Sequence, residues 1–270
     1  MSTTYSSNNI LNAVAAAAKS LDERKEEVNR LNVFPVPDGD TGTNMSLTIQ
    51  SVVGNVAGLP IGATAAEVRK AVTTGALMGA RGNSGVITSQ ILRGLCEGSQ
   101  PFDTFDTESV AAAFAKAVEV AFQAVRKPVE GTILTVLRDA AAAAKNAAEE
   151  ELETDAALDA IVAEAYASVQ RTPDLLPVLK EHGVVDAGGF GLAILFDAFA
   201  AALLGRAGTM VDELSFARGA HPKVEIEQVN DWEGSHIPYC NEFLVDTDSP
   251  DREAALTFLS TMGDCELCVG

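Results

Sequence analysis

The sequence predicts a mainly α protein, a tightly packed helical bundle over residues 1–205, followed by the start of a short α+β segment. Three observations carry that reading. Apolar residues recur at helical spacing through most of the first 205 residues. Alanine, the best helix former and small enough for close helix approach, fills those segments. Aromatic residues make up only 6% of the chain, so the core must close on small side chains.

Taken in order, Asn8 or Asn9 is placed to cap a first helix whose apolar stripe runs through Ile10, Leu11, Val14 and Leu21. Pro35, Pro37, Gly39 and Gly42 interrupt regular helix over residues 32–43. An amphipathic pattern resumes over 44–56 through Met45, Ile49, Val52 and Val53. Further helices are expected near 65–78, 84–95, 108–125, 132–148 and 156–169. The last helix of the block, 189–204, is apolar nearly all round, which implies burial on every side, and Gly205 suits its C-terminal end. Residues 206–235 are polar, lack sustained periodicity and read as a linker. Residues 236–270 then read as strand (242–247), helix (251–262, capped by Ser249 or Asp251) and strand (265–270). That pattern is the opening of an incomplete α+β domain, so the expectation is a chain that stops inside its second domain.

The charge balance narrows the function classes. The chain has 270 residues, 19 basic against 38 acidic, for a net charge of −19. Such a field repels nucleic-acid backbones and anionic lipid surfaces. A nucleotide is still admissible, because a divalent cation inverts the local sign. No apolar run reaches the length of a membrane span, and residues 1–9 lack the apolar core of a signal peptide. The four cysteines (Cys96, Cys240, Cys265, Cys268) do not form a disulfide framework. A cytoplasmic location is the expectation.

The densest chemical feature runs from Asn32 to Asn44. Asp38 and Asp40 are two apart, so in extended backbone their carboxylates point the same way. Together with the amide oxygen of Asn32 they suit Mg²⁺, which takes few protein oxygens and completes its octahedron with water and phosphate. Thr41, Gly42, Thr43 and Asn44 lead into a helix start, where free N–H groups favour phosphate. The alternative is a plain capping turn. A calcium EF-hand is excluded, because counting from Asp38 position six is Thr43 and position twelve is Ile49.

Three more Gly- or Asp-rich turns each feed a helix N-terminus. The first, Gly79 to Gly85, has glycines at spacing three and offers Ser84 to phosphate, but it is neither a Walker loop nor part of a protein-kinase set. The second, Lys127 to Thr132, ends in a natural cap, and the third, Asp186 to Gly191, opens the apolar helix. Each alone reads equally as cap and turn chemistry. Helix starts gathered at one end of a bundle would concentrate N–H dipoles and carboxylates around one phosphate chain.

The other candidates are weaker. Cys265 and Cys268 lack a second ligand pair, and residues three apart on a strand face opposite ways. Cys240, beside His236, Tyr239 and Glu242, has no visible base for a nucleophile. His182 and His221 read as isolated surface residues, and Glu149, Glu150, Glu151 and Glu153 as a solvated helix junction.

These motifs, in this order, resemble the ATP-binding subunits of bacterial fatty acid kinases (FakA), whose N-terminal domain is related to the DhaL subunit of dihydroxyacetone kinases. Pro238 to Val245 resembles the start of that family's middle domain. The resemblance implies an antiparallel α-helical barrel over residues 1–205, with ATP and a pair of Mg²⁺ ions held at one end. It maps metal binding and catalysis onto Asp38 and Asp40, with Asn32 as the third metal position. Asn32 stands where DhaL relatives normally carry aspartate, and Thr41 where their metal loop often has histidine. Phosphate contacts map to Thr41, Gly42, Thr43 and Asn44, and nucleotide contacts to Asn83, Ser84, Gly131, Thr132, Asp186, Ala187 and Gly188.

The resemblance further implies a fatty-acid-binding partner (FakB-like) that presents an acyl carboxylate, an acyl phosphate product for phospholipid synthesis, and Zn²⁺ at Cys240 only in a longer chain that supplies two histidines. A homodimer is left open. Two other functions compete: a DhaL-type subunit phosphorylating dihydroxyacetone or another small hydroxyl acceptor, and a helical scaffold that binds nucleotide without chemistry. The Cys240 segment argues against the first, and the intact Asp38 and Asp40 against the second.

Overall fold

The computed structural model describes residues 7–60, 62–102, 104–210 and 251–262. Within these the chain forms α1 (Ser7–Arg30), α2 (Thr41–Ala57), α3 (Ala65–Gly79), α4 (Gly82–Gly98), α5 (Thr107–Ala124), α6 (Ile133–Glu149), α7 (Thr154–Leu175), α8 (Pro177–His182), α9 (Ala187–Leu203) and α10 (Arg252–Leu259). No strand occurs among the described residues, so the fold is mainly α. The two expected strands, most of the expected linker, and Cys240, Cys265 and Cys268 lie outside the described residues.

Neighbouring helices pack in sequence order, and α9 packs against α1, which closes the ring into a barrel. The directions follow from close approaches. A Cβ on Gly42 at the start of α2 would lie 2.3 Å from the Lys25 carbonyl oxygen near the end of α1. A Cβ on Gly94, late in α4, would lie 2.4 Å from Cα of Ala117 in α5. The turn at Gly131 meets Thr172, Leu175 and Leu176 at the end of α7. Consecutive long helices therefore run antiparallel. The N-termini of α2, α4, α6 and α9 all emerge at one end of the barrel.

Alanine builds the interior, as expected. Ala13, Ala117, Ala121, Ala140, Ala165 and Ala193 are fully buried beside Leu21, Met45, Leu137 and Phe190. Small side chains let helices approach closely, and dense packing then supplies the dispersion that a large aromatic would. The helix α9 is buried along nearly its whole length because α1, α2, α6 and α7 all pack on it. Among the described residues no helix is long and apolar enough to cross a membrane.

Several boundaries differ from expectation for local reasons. Helix α1 starts at Ser7, so Asn8 and Asn9 lie in its first turn rather than capping it. Helix α2 starts at Thr41, three residues early: Asp40 is its N-cap residue, the Asp40 carbonyl accepts from the Asn44 N–H at 2.8 Å, and Asn29 Oδ1 accepts from the Thr43 N–H at 3.1 Å. Helix α7 runs on past Val169 and through Pro173. Proline removes the bond to the Val169 carbonyl, and the Thr172 hydroxyl donates to that oxygen instead, at 2.7 Å. The short α8 begins on Pro177 and stops at Gly183, whose φ of 65° is left-handed. It is too short for a periodicity to reveal. Helix α10 is capped by Asp251, whose carboxylate accepts from the Ala254 N–H at 2.9 Å.

Candidate functional site

All four singled-out turns connect helices at the same end of the barrel. The turn from α1 to α2 is organised by Asn32, which is buried. Its Nδ2 donates to Asp38 Oδ1 at 2.7 Å and to the Val36 carbonyl at 3.1 Å. Its Oδ1 accepts from the Thr41 hydroxyl at 2.9 Å. Asp38 is exposed and Asp40 half-buried, so both carboxylates stand at the barrel mouth. Asn32 and Asp38 are thus joined across the turn, and Asp40 follows as the N-cap residue of α2, so one turn carries two carboxylates and an amide. That chemistry fits a hard cation such as Mg²⁺.

The glycine turn of α3 to α4 lies directly on the start of α2. Gly82 has φ +57°, and a Cβ there would sit 2.4 Å from Asn44 Nδ2. Gly85 approaches the Thr48 hydroxyl just as closely, and Ser84 Oγ reaches the Thr41 carbonyl at 3.5 Å. Helix α4 begins at Gly82, so Asn83 and Ser84 fall in its first turn, where N–H groups lack intrahelical partners. Thr41, Gly42, Thr43 and Asn44 occupy the same position in α2. Two helix N-termini therefore flank the paired carboxylates.

The other two turns form a second pair. Gly131 has φ +80°, and its N–H donates to Thr135 Oγ1 at 2.9 Å. The Thr135 hydroxyl donates to Glu130 Oε2 at 2.9 Å, and Arg138 holds both Glu130 oxygens, at 2.6 and 2.9 Å. Those bonds keep the Glu130 carboxyl below its ordinary range, Arg138 first. Thr132 is the N-cap residue of α6, but its hydroxyl donates to the Val129 carbonyl rather than capping the helix.

Asp186 does cap α9, accepting from the Gly189 N–H at 2.7 Å, and its own N–H donates to Thr172 Oγ1 at 3.0 Å. It is buried, and burial pushes its carboxyl up to about 7 despite the opposing Gly189 and Ile133 N–H groups. Because one carboxylate serves both α6 and α9, it locks their N-termini together. Ala187 and Gly188 follow in the first turn of α9, with Gly188 packed on Ile133.

The two pairs meet through Gly191 of α9, which leaves room for the Met45 thioether of α2: a Cβ there would lie 2.8 Å from Sδ. Asn29 is a residue that the sequence does not advertise. It sits in the helical stripe of α1 yet satisfies both the N–H and, through Nδ2 at 3.0 Å, the hydroxyl of Thr43. An asparagine within a helix carries no local signal for a contact fourteen residues away.

The remaining candidates lie elsewhere. His182 is exposed, with Nδ1 2.8 Å from the Val178 carbonyl oxygen. Glu149, Glu150, Glu151 and Glu153 are exposed at the α6–α7 junction, at the opposite end of the barrel. Cys96 is half-buried, and loss of solvation pushes its thiol up to about 11. Among the described residues no group of three or more His, Cys, Asp or Glu side chains could hold a metal, so any cation at the turn depends on the Asn32 amide beside the two carboxylates.

Comparison with known proteins agrees with this fold. The family model described as the DAK2 domain matches residues 35–201. Protein SH1689 of Staphylococcus haemolyticus (strain JCSC1435) is 40% identical over 264 residues, covering 95% of this chain and 47% of that protein. Protein YloV of Bacillus subtilis (strain 168) is 42% identical over 243 residues, 89% of this chain and 44% of that protein. The chain spans about half the length of the curated relatives it matches. Among solved structures, the dihydroxyacetone kinase from C. freundii, in complex with AMP-PNP and Mg²⁺, superposes with a TM-score of 0.55 over 75% of this chain and 35% of that one, at 19% identity. At that identity the likeness establishes the shared helical fold.

Proposed function

Because this chain belongs to the DAK2-domain family, we propose that it is the nucleotide-binding subunit of a kinase, holding MgATP at the mouth where α2, α4, α6 and α9 begin. The observation that carries the reading is that four helix N-termini emerge at the end of the barrel that holds the Asn32, Asp38 and Asp40 turn, with the α4 start packed on that of α2. Helix N-termini favour phosphate, and carboxylates flanking them require a bridging cation. Asp38 and Asp40, with Asn32, would hold Mg²⁺, which neutralises phosphate charge when bound. Thr41 to Asn44 and Asn83 to Ser84 would face the phosphates. Gly131, Thr132 and Asp186 to Gly188 would line the rest of the nucleotide site. The AMP-PNP and Mg²⁺ in the C. freundii kinase support this assignment.

The acceptor we propose is a fatty acid carboxylate presented by a separate fatty-acid-binding protein, giving an acyl phosphate. One feature of the surface supports a macromolecular acceptor over a free metabolite. Among the described residues of the barrel, the exposed large apolar side chains include Val36 (58%), Met78 (56%), Leu175 (47%) and Val129 (38%). All four lie at the mouth: Val36 and Val129 in the α1–α2 and α5–α6 turns, Met78 and Leu175 at the ends of α3 and α7. Apolar groups ringing a polar site mark a docking surface. The fold likeness to a dihydroxyacetone kinase favours a second reading, a small hydroxyl acceptor.

Thermal protection by ATP with and without Mg²⁺, for wild type and Asp38→Ala, tests the site. Mg²⁺-dependent protection of wild type alone is expected, and equal protection of both proteins would remove Asp38 from metal binding. Transfer of labelled phosphate to a fatty-acid-loaded binding protein, against dihydroxyacetone alone, decides the acceptor.

A further inference from the structure

Arg81 occupies a position that helix stability does not explain. It is the N-cap residue of α4, in extended backbone (φ −138°, ψ 133°), and its side chain makes no capping bond. Arginine is a poor N-cap, and a cation at a helix N-terminus opposes the helix dipole. Its guanidinium is exposed, and Nη1 donates to the carbonyls of Ala80 at 2.7 Å and Met78 at 3.4 Å. Arg24, Arg93, Arg138, Arg171 and Arg206 are each paired with a carboxylate. Arg81, like Arg30 and Arg69, has no carboxylate partner among the described residues, and of the three only Arg81 lies in a turn at the mouth. A full positive charge, resting only on main-chain oxygens, thus stands in a chain of net charge −19.

The loop that carries Arg81 is packed on the start of α2. The next residue, Gly82, lies against Asn44 in the first turn of α2, and Ser84 reaches the Thr41 carbonyl. Asp40 is the N-cap residue of that same helix α2. Arg81 is therefore on the loop that abuts the carboxylate turn, on an exposed side chain long enough to move.

We propose that Arg81 leaves the Met78 and Ala80 carbonyls and engages the phosphoryl group during its transfer. The proposal rests on the kinase reading above. In the transfer, an acceptor oxygen bonds to the γ-phosphorus as the bond from phosphorus to the β–γ bridging oxygen breaks, and that electron pair goes to ADP. A carboxylate acceptor has no proton to lose. Charge in such a transition state spreads over the equatorial oxygens, where a planar guanidinium donates two N–H bonds. Carbonyl hydrogen bonds on an exposed side chain exchange readily with water, so the resting contact holds the arginine near the mouth without committing its charge.

Equilibrium binding of MgADP, and of MgADP with aluminium fluoride as a mimic of the moving phosphoryl group, tests this on the full chain. Wild type, Arg81→Gln and Arg81→Lys are compared. Wild type is expected to bind tighter with fluoroaluminate. Arg81→Gln should bind MgADP within about twofold of wild type but lose about tenfold or more of the fluoride-dependent tightening, with partial recovery in Arg81→Lys. Tightening retained in Arg81→Gln, absent from wild type, or lost only in proportion to MgADP binding would overturn the proposal. A wild-type chain that binds no MgADP at all would instead overturn the kinase reading.

Discussion

Asn32 Nδ2 donates to Asp38 Oδ1 at 2.7 Å across the turn between α1 and α2. A neutral amide thus holds one carboxylate of the pair in place before any cation is bound, and the same side chain ties down Thr41 through its oxygen. With an aspartate at position 32 the turn would instead have to bring negative charges together.

Asn32→Asp should therefore make the turn dependent on a cation. The substitution loses the donor to Asp38 and to the Val36 carbonyl and adds a buried charge. A loss of about 1–3 kcal/mol in chelator at neutral pH is expected, largely restored by millimolar Mg²⁺. Chemical denaturation in the two conditions measures it, and equal stability in both would show that Asp38 and residue 32 do not share a cation.

Glycine at position 42 is set by the α1–α2 crossing rather than by turn chemistry. A Cβ would lie 2.3 Å from the Lys25 carbonyl oxygen and 2.9 Å from Val28 Cβ, neither of which moves cheaply. Gly42→Ala should cost about 1–3 kcal/mol. Gly54, in the same helix, has nothing within 4 Å of a Cβ, so Gly54→Ala should stabilise by about 0.5–1 kcal/mol. Opposite shifts in melting temperature are the expected pair, and shifts of one sign would contradict the packing.

Asp186 makes stability depend on pH. Its ordinary value is 3.8 and burial raises it to about 7 in the folded chain. Between those values the folded state holds a proton that the unfolded state has released. The stability this group contributes is full below the lower value and is lost as pH rises through the upper one. Asp186→Asn removes the titration, so its stability relative to wild type should climb from pH 5 to pH 8. Denaturation curves that keep a constant offset across that range would refute the buried carboxyl.

The exposed apolar ring predicts a separation of stability from transfer. Val36→Ser and Leu175→Ser should each leave thermal stability within about 0.5 kcal/mol of wild type, as exposed substitutions do. MgATP binding should be unchanged, while transfer to a fatty-acid-loaded protein slows. Unchanged transfer in the double variant would remove the docking role.

The positions of the helices were legible because periodicity is a local property. Apolar stripes at i, i+3 and i+4 placed α2 through α6 and α9 to within three residues and the start of α7 to within two, but not its end. The carboxylates Asp38 and Asp40 were legible because spacing and glycine content in one turn are local too. The early start of α2 was not, since Asn29 supplies its cap contact from fourteen residues away. The passage of α7 through Pro173 depends on one hydroxyl, that of Thr172, finding the orphaned Val169 carbonyl.

By itself the sequence determined a helical chain, its small-residue core, its acidic field and four turns with the chemistry of phosphate and metal sites. Only the tertiary structure decided that those turns belong together. Antiparallel packing of consecutive long helices sends alternate N-termini to one mouth, and closure of α9 on α1 completes the ring. It also decided which side chain joins which pair: Asn32 to Asp38 and Thr41, and Asp186 to the starts of α6 and α9. Periodicity specifies which face of a helix is buried. Which helix covers it depends on long-range packing, and that choice is what brings four local turns to one end of the barrel.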